Sequence, residues 1–349
     1  MIYDNFHQVY CFTSNSSPLA WLLGLRLAQE PWLMVATGIW LFPDTDAPAL
    51  VAAFEAAESA GLDEVWLGDE GAPNRDPFAL LAAAAVKTSR ALLGVAVTNP
   101  YLRHPAVTSS AMMTVQELSG GRAVLGIGAG GGISLGPLGI SPERPLQRVR
   151  DFIRIARAVS TGTPTEGYSP PEGAFRVGSL PIYVGSRSER LNRLASLMAD
   201  GVFIGATPSF LLDATLGWAR SVHPVPVALY VNAAFDQGEL EWARPRLVQA
   251  LLDAPEVTRR SFGLEDAKLR PAIAALAGGD DGAARRLVTD EIVDHLMLSG
   301  GPGRMARRIA DMARKYQPAS IGICLRTSTR PEMVHQSAAV LAAARKELS

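Results

Sequence analysis

The sequence predicts an α/β fold, a closed (β/α)8 barrel with a helical insertion between strands 7 and 8. Two patterns and one length point to it. Apolar runs of strand length alternate with amphipathic segments of helix length, and eight such strands are found. The 349 residues exceed the roughly 150 of an average domain, yet barrels run to about 250 residues as one unit. A doubly wound open sheet is the competing architecture, and the number of strands disfavours it.

The elements follow in order. Met34–Leu41 reads as the first strand; Asp46 and Pro48 suit a helix entry, and Leu50, Phe54 and Ala57 repeat on one face until Gly61. Glu64–Leu67 is the second strand, and Asp76-Pro77 opens a helix through Leu81 to Lys87. Ala91–Val97 is the third strand, followed by a helix after Pro105 with Val107, Ala111, Val115 and Leu118 at helical spacing. Ala123–Ile127 is the fourth, with a glycine-rich loop and a helix from about Leu146 that turns Val149, Ile153 and Ala156 inward. Residues 161–178 form a Pro/Gly-rich connection. Pro181–Val184, Val202–Ile204, Val225–Val231 and Ile321–Leu325 complete the set.

The organisation expected is an N-terminal extension over 1–33, rich in Ser, Asn and aromatics and without periodicity, then one domain over 34–349 with helices inserted at 236–300. Met34 is a candidate initiator. Hydrophobic residues make up 48% and charged residues 19%, a balance that buries a sizeable core. Net charge is −1, from 33 Lys plus Arg against 34 Asp plus Glu, with no basic block. That balance argues against nucleic acid and anionic membranes as partners and for small molecules. Two cysteines, Cys11 and Cys324, give neither a disulfide framework nor metal spacing, which fits a reducing, cytoplasmic setting. No apolar run reaches the roughly 18 residues of a membrane span and no leader is read. The five histidines include no pair at metal-ligating helical spacing, so no metal site is expected.

Several motifs bear on chemistry. Gly126–Gly131 matches G-x-G-x-x-G after a strand, but Gly136-Pro137, Gly139 and Ser141-Pro142 postpone the helix that a dinucleotide needs, so a Rossmann site is rejected. Its glycines either admit a ligand to the backbone or supply positive φ. Gly132–Gly136 matches G-x-S-x-G without the sharp strand-to-helix turn of a nucleophile elbow, and reads as chance. Asp69 and Glu70 follow the second strand, where barrels gather their chemistry; they either handle protons or orient a polar ligand, or else cap the next helix or meet Arg75. Gly185-Ser186-Arg187-Ser188-Glu189-Arg190 precedes a helix bearing Leu191 and Leu194. Ser186 and Glu189 fit a capping box, while helix amides, two serines and two arginines make a phosphate cradle. Ser299–Gly303 reads as a plain helix start.

Longer phrases carry a resemblance. GLDEVWLGD (61–69), LGVAVTNPYLRHP (93–105), and ELSGGR (117–122) running to GIGAG (126–130) stand in this order. With PIYVG (181–185), ADG (199–201) and the Gly303 helix leading to Ile321–Leu325, they resemble the luciferase-like monooxygenase superfamily from about residue 34 onward. The resemblance implies a TIM-type barrel binding flavin mononucleotide or the deazaflavin coenzyme F420 at its strands' C-terminal ends, and a possible homodimer. The chain is most similar to the F420-using branch that includes methylenetetrahydromethanopterin reductase, which implies hydride exchange between the deazaflavin and an organic substrate. A flavin-dependent monooxygenase is the alternative and a non-catalytic flavin-binding relative the third reading.

That branch further implies a third-strand bulge with a non-prolyl cis peptide at Ala96-Val97 behind the ring. Asn99 would meet the ring's polar edge, Ala129, Gly130 and Ser134 the ring or side chain, and Gly185, Arg187, Ser188, Arg190 and Leu191 the phosphate region. Glu70 stands where the family often has histidine. Gly131 replaces an acid/base glutamate of the sugar-phosphate dehydrogenase branch, and Pro208 its lysine. A sugar phosphate is therefore not expected, and proton transfer falls to Asp69, Glu70 or solvent.

Overall fold

The computed structural model describes residues 35–72, 74–174, 176, 178–325 and 331–348; the expected extension 1–33 and the candidate start Met34 lie outside them. The first half alternates β1 (Ala36–Leu41), α1 (Ala47–Ser59), β2 (Glu64–Leu67), α2 (Pro77–Lys87), β3 (Leu92–Thr98), α3 (Pro105–Leu118) and β4 (Ala123–Ile127). Each helix starts where the sequence offers a side-chain acceptor before proline. Asp46 Oδ1 accepts from Ala49 N at 2.9 Å, Asp76 Oδ1 from Phe78 N and Ala79 N at 3.0 Å, and His104 Nδ1 from Ala106 N at 3.2 Å.

The second half runs through α4 (Gly132–Leu135), α5 (Pro145–Thr161), β5 (Ile182–Gly185), α6 (Glu189–Met198), β6 (Gly201–Gly205), α7 (Leu212–Ala219) and β7 (Val227–Ala233). Then come α8 (Gln237–Ala243), α9 (Leu247–Leu252), α10 (Glu256–Ser261), α11 (Asp266–Ala277), α12 (Gly282–Leu287), α13 (Asp290–Leu296) and β8 (Met297–Leu298). Finally, α14 (Pro302–Tyr316), β9 (Ser320–Leu325) and α15 (Pro331–Leu348) close the chain. All pairings between these strands are parallel, and β7 pairs with β6 (Val202 with Val227) and with β9 (Ala228 with Ser320), which in turn pairs with β1 (Gly38 with Gly322). Eight strands therefore close a TIM barrel, with β9 as its eighth stave.

Two apolar layers hold it. The outer one lies between strands and helices and contains Leu50, Phe54, Leu81, Val149 and Ile153. The inner one fills the barrel axis with Trp40, Trp66, Tyr183, Phe203 and Tyr230. Glycines on neighbouring strands make the room: a Cβ on Gly94 would stand 2.1 Å from the Trp66 ring, one on Gly201 2.4 Å from Tyr183, and one on Gly322 2.2 Å from Tyr230. Among these rings Glu64 is 2% exposed and accepts from Trp66 Nε1 at 2.7 Å and Tyr230 OH at 3.0 Å. Burial pushes its carboxyl above the ordinary value despite those donors.

Arg122, 9% exposed, pins the outer layer. Its guanidinium donates to Ala85 O at 3.1 Å, Thr88 O at 2.9 Å and Ala91 O at 2.6 Å, placing a cation on carbonyls at the C-terminal end of α2.

The structure corrects four local expectations. The inward face of α3 carries Thr108, Ser109, Met112, Met113, Val115 and Gln116, so Val115 is buried as expected, whereas Val107 and Leu118 are exposed. Polar side chains that find partners share that face with Met112, Met113 and Val115: Gln116 Oε1 accepts from Ala123 N at 2.6 Å, and its Nε2 donates to Ser179 O at 3.0 Å. The loop after β4 forms the one-turn α4 at once, although the long helix does wait for Pro145. The two-residue β8 was not foreseen; it extends the ladder beyond β7 (Asn232 with Met297) and seats α8–α13 above the barrel's C-terminal rim. Those helices bury a cluster of their own, including Leu247, Val248, Leu251, Leu269 and Ile292. Lastly, Ser186 and Glu189 form no capping box. Ser188 is the N-cap of α6, accepting from Leu191 N at 3.4 Å, and Ser186 Oγ accepts from Ser188 N at 3.0 Å.

Candidate functional site

The C-terminal ends of the strands open into a cavity of about 470 Å3, within the range of small-molecule sites. Its floor is the top of the aromatic column, Trp40 and Phe203, together with β3. There the β3–β4 register slips between Val95 and Thr98, and the Ala96-Val97 peptide is cis. Trp40 Nε1 donates to Ala96 O, which fixes that carbonyl at the floor. Val97 projects between β4 and β5: a Cβ on Gly128 would lie 2.7 Å, and one on Gly185 2.5 Å, from its methyl groups. Only Gly130 of the G-x-G-x-x-G run has positive φ, at 79°. The run's glycines therefore serve different needs, close packing at Gly126 and Gly128 and a turn at Gly130.

At one side of the floor Asp69, 8% exposed, accepts from Thr98 Oγ1 at 2.6 Å. Burial raises its carboxyl above the ordinary aspartate value; the Thr98 hydroxyl, the Gly71 N–H and Arg103 oppose the shift without cancelling it. The cap of α2 is Asp76, so Asp69 does not serve that structural role. Glu70 lines the cavity beside it. Asn99, 2% exposed, uses Oδ1 to accept from Tyr101 N at 3.0 Å and Leu102 N at 3.2 Å. Its Nδ2 makes no hydrogen bond among the described residues, and the residue borders the cavity.

The opposite side is built by the loops after β4 and β5. Ala129, Gly130 and Ser134 come from the first, and Gly185, Ser186, Arg187, Ser188 and Leu191 from the second. The first turn of α6 faces this side with amides that have no intrahelical acceptor. Thirteen residues were singled out from sequence, and twelve border this cavity. Arg190 does not; it lines a neighbouring cavity with Arg144 and Arg150. Because α6 starts only at Glu189, Arg190 is the second residue of the helix rather than part of the turn before it.

Arg187 is placed differently from expectation as well. It lines the cavity, but its guanidinium donates to Ala250 O at 2.9 Å and Asp253 O at 3.0 Å, carbonyls at the end of α9. Asp253 Oδ1 in turn accepts from Gly132 N at 3.3 Å, and Oδ2 from Gln249 Nε2 at 3.1 Å. The segment 250–255 thereby spans the β4 and β5 loops and forms the outer wall. Asp253 was missed in the sequence because its partners lie 66 and 121 residues away. Its carboxylate stands 3.4 Å from where a Cβ on Gly131 would be, so the stretch between β7 and β9 brings an acid beside a position that carries none.

These residues suit a flat, hydrogen-bonding ligand with an anionic end: an apolar floor, an amide donor on Asn99, and serines at a helix start. Among the described residues, no group of three His, Cys, Asp or Glu could hold a metal ion, and no helix is long and apolar enough to cross a membrane.

The model of a family described as luciferase-like monooxygenase matches residues 28–316. A 5,10-methylenetetrahydromethanopterin reductase of Archaeoglobus fulgidus is 34% identical over 299 residues, covering 79% of this chain and 90% of that protein. An F420-dependent glucose-6-phosphate dehydrogenase of Nakamurella multipartita is 28% identical, covering 69% and 79%. Among solved structures, the coenzyme F420-dependent tetrahydromethanopterin reductase of Methanopyrus kandleri superposes with a TM-score of 0.74 at 23% identity, over 88% of this chain and 97% of that one.

Proposed function

From its membership of the luciferase-like monooxygenase family, and from the cavity at the barrel mouth, we propose that the chain is an oxidoreductase that binds coenzyme F420 and exchanges hydride with an organic substrate. The observation that carries this reading is the convergence of the Ala96-Val97 bulge, Asn99 and the Ser186–Ser188 turn on one cavity, in a chain 34% identical to a methylenetetrahydromethanopterin reductase. When bound, the deazaflavin supplies the hydride acceptor or donor.

The chain's own residues position and shield. Ala96 and Val97, backed by Trp40, offer a flat apolar floor. Asn99 Nδ2 supplies a donor to a polar ring edge, and Ala129, Gly130 and Ser134 flank the ligand. Ser186, Ser188 and the amides opening α6 receive a phosphate, with Leu191 beside them. Arg187 acts as a positioning residue that keeps segment 250–255 closed over the site and excludes water. Asp69, held neutral more readily than an exposed aspartate, is suited to keep or release a proton at Oδ1 while Oδ2 stays with Thr98; Glu70 stands beside it.

Equilibrium binding of F420 and of flavin mononucleotide, followed by spectroscopy under nitrogen and under air, tests the proposal. F420 is expected to bind at micromolar concentration and to be reduced or oxidised by an organic partner without consuming oxygen. Binding of flavin mononucleotide with oxygen uptake would establish the monooxygenase reading instead, and binding of neither removes both.

A further inference from the structure

A second cavity, of about 450 Å3, adjoins the first and shares Pro145, Ser188 and Leu191 with it. Its remaining walls are Arg144, Leu146, Gln147, Arg150 and Arg190, with no carboxylate among them. The three arginines come from two elements, Arg144 and Arg150 from the start of α5 and Arg190 from α6. Among the described residues none of the three makes an ion pair. The acid nearest in sequence to Arg190, Glu189, is taken by Arg193 at 2.9 Å. Three cations gathered around one hollow repel each other, and nothing in the fold of α5 or α6 requires them. The usual helix preference opposes them too, since both helices place arginine at the end that favours anions.

The charge thus calls for an anion with several negative groups, and the shared wall says how it arrives. Ser188, the N-cap that opens the proposed phosphate site, is also a wall of the arginine cavity. A ligand whose phosphate lies at Ser188 reaches the arginines with whatever is attached beyond that phosphate. We propose that the cavity of Arg144, Arg150 and Arg190 is an annex for the carboxylate-bearing tail of the deazaflavin cofactor, a chain of carboxylates tethered beyond the phosphate. This inference rests on the cofactor reading above. It gives Arg190 a role in the tail annex, not at the phosphate.

The test compares F420 carrying several glutamates with the same deazaflavin lacking glutamates, by fluorescence titration at low salt. An exposed ion pair strengthens binding by only about 1.5- to 5-fold. Three pairs to one tethered chain are expected to favour the tailed form by about tenfold, less as salt rises. In the double variant Arg144→Gln, Arg150→Gln that advantage should fall to about threefold or less. In Arg144→Glu, Arg150→Glu the tailed form should bind more weakly than the tail-less one. Both positions changed are exposed arginines, and circular dichroism verifies the fold. Equal affinity of the two ligands for the unaltered chain overturns the annex while leaving the cofactor reading intact; a chain that binds neither overturns both. If added tri-γ-glutamate enhances substrate binding yet leaves the tailed cofactor undisturbed, the anion belongs to the substrate and the assignment to the cofactor is wrong.

Discussion

Replacing Glu64 by glutamine isolates the acid buried in the barrel axis. Burial raises its pKa from an ordinary 4.5 in the unfolded chain, so the native state holds a proton the unfolded state has released. Wild-type stability is then fully present below about pH 4.5 and declines as pH rises from there toward Glu64's native value. Each pH unit in that window costs about 1.4 kcal/mol, or about 0.5 M in urea midpoint for an m-value near 3 kcal/mol/M. Glutamine keeps an oxygen for Trp66 Nε1 and Tyr230 OH but has no proton to lose. The Glu64→Gln midpoint should match wild type near pH 4, exceed it by a margin that grows as pH rises above 4.5, and hold that margin once the native carboxyl has ionised, read by tryptophan fluorescence. A margin that fails to open, or that shrinks, as pH rises above 4.5 would refute the argument that the buried carboxyl sets the pH response.

Gly94→Ala should cost about 1–3 kcal/mol, because the new methyl meets Trp66 at 2.1 Å and that ring is backed by Tyr183, Phe203 and Tyr230; an unchanged urea midpoint contradicts the packing argument. Arg187→Met removes two hydrogen bonds worth about 1 kcal/mol each, so amide exchange over 247–255 should quicken by about tenfold or more, with weaker cofactor binding; unaltered exchange there means the wall is held by other contacts. Asp69→Asn should erase from the pH profile of kcat/KM an ionisation lying above the ordinary aspartate value of 3.8, and a profile identical to wild type removes Asp69 from proton handling.

Strand positions were legible to within about two residues because a parallel barrel buries both faces of each strand, leaving continuous apolar runs between turn residues. Helix starts were equally plain at Asp46, Asp76 and His104, where a capping group meets a proline. The inward face of α3 was not, since Ser109 and Gln116 are buried by virtue of partners that no hydropathy pattern records. The same limit governs the site. Asp69, Glu70 and the 185–190 turn follow from counting strands, whereas Ala96, Val97, Asn99, Ala129, Gly130, Ser134 and Leu191 were reached only through the family resemblance. Asp253 depends on a helix arriving from far along the chain, and Arg190 on a two-residue displacement of one cap.

The solid column of rings below the floor has a kinetic corollary. With Trp66, Tyr183, Phe203 and Tyr230 stopping the axis, whatever rests on Ala96 and Val97 can be approached from a single direction. In the proposed reaction the deazaflavin lies on that floor and its organic partner must stack over it before either departs, so initial-rate plots with both varied should give intersecting lines.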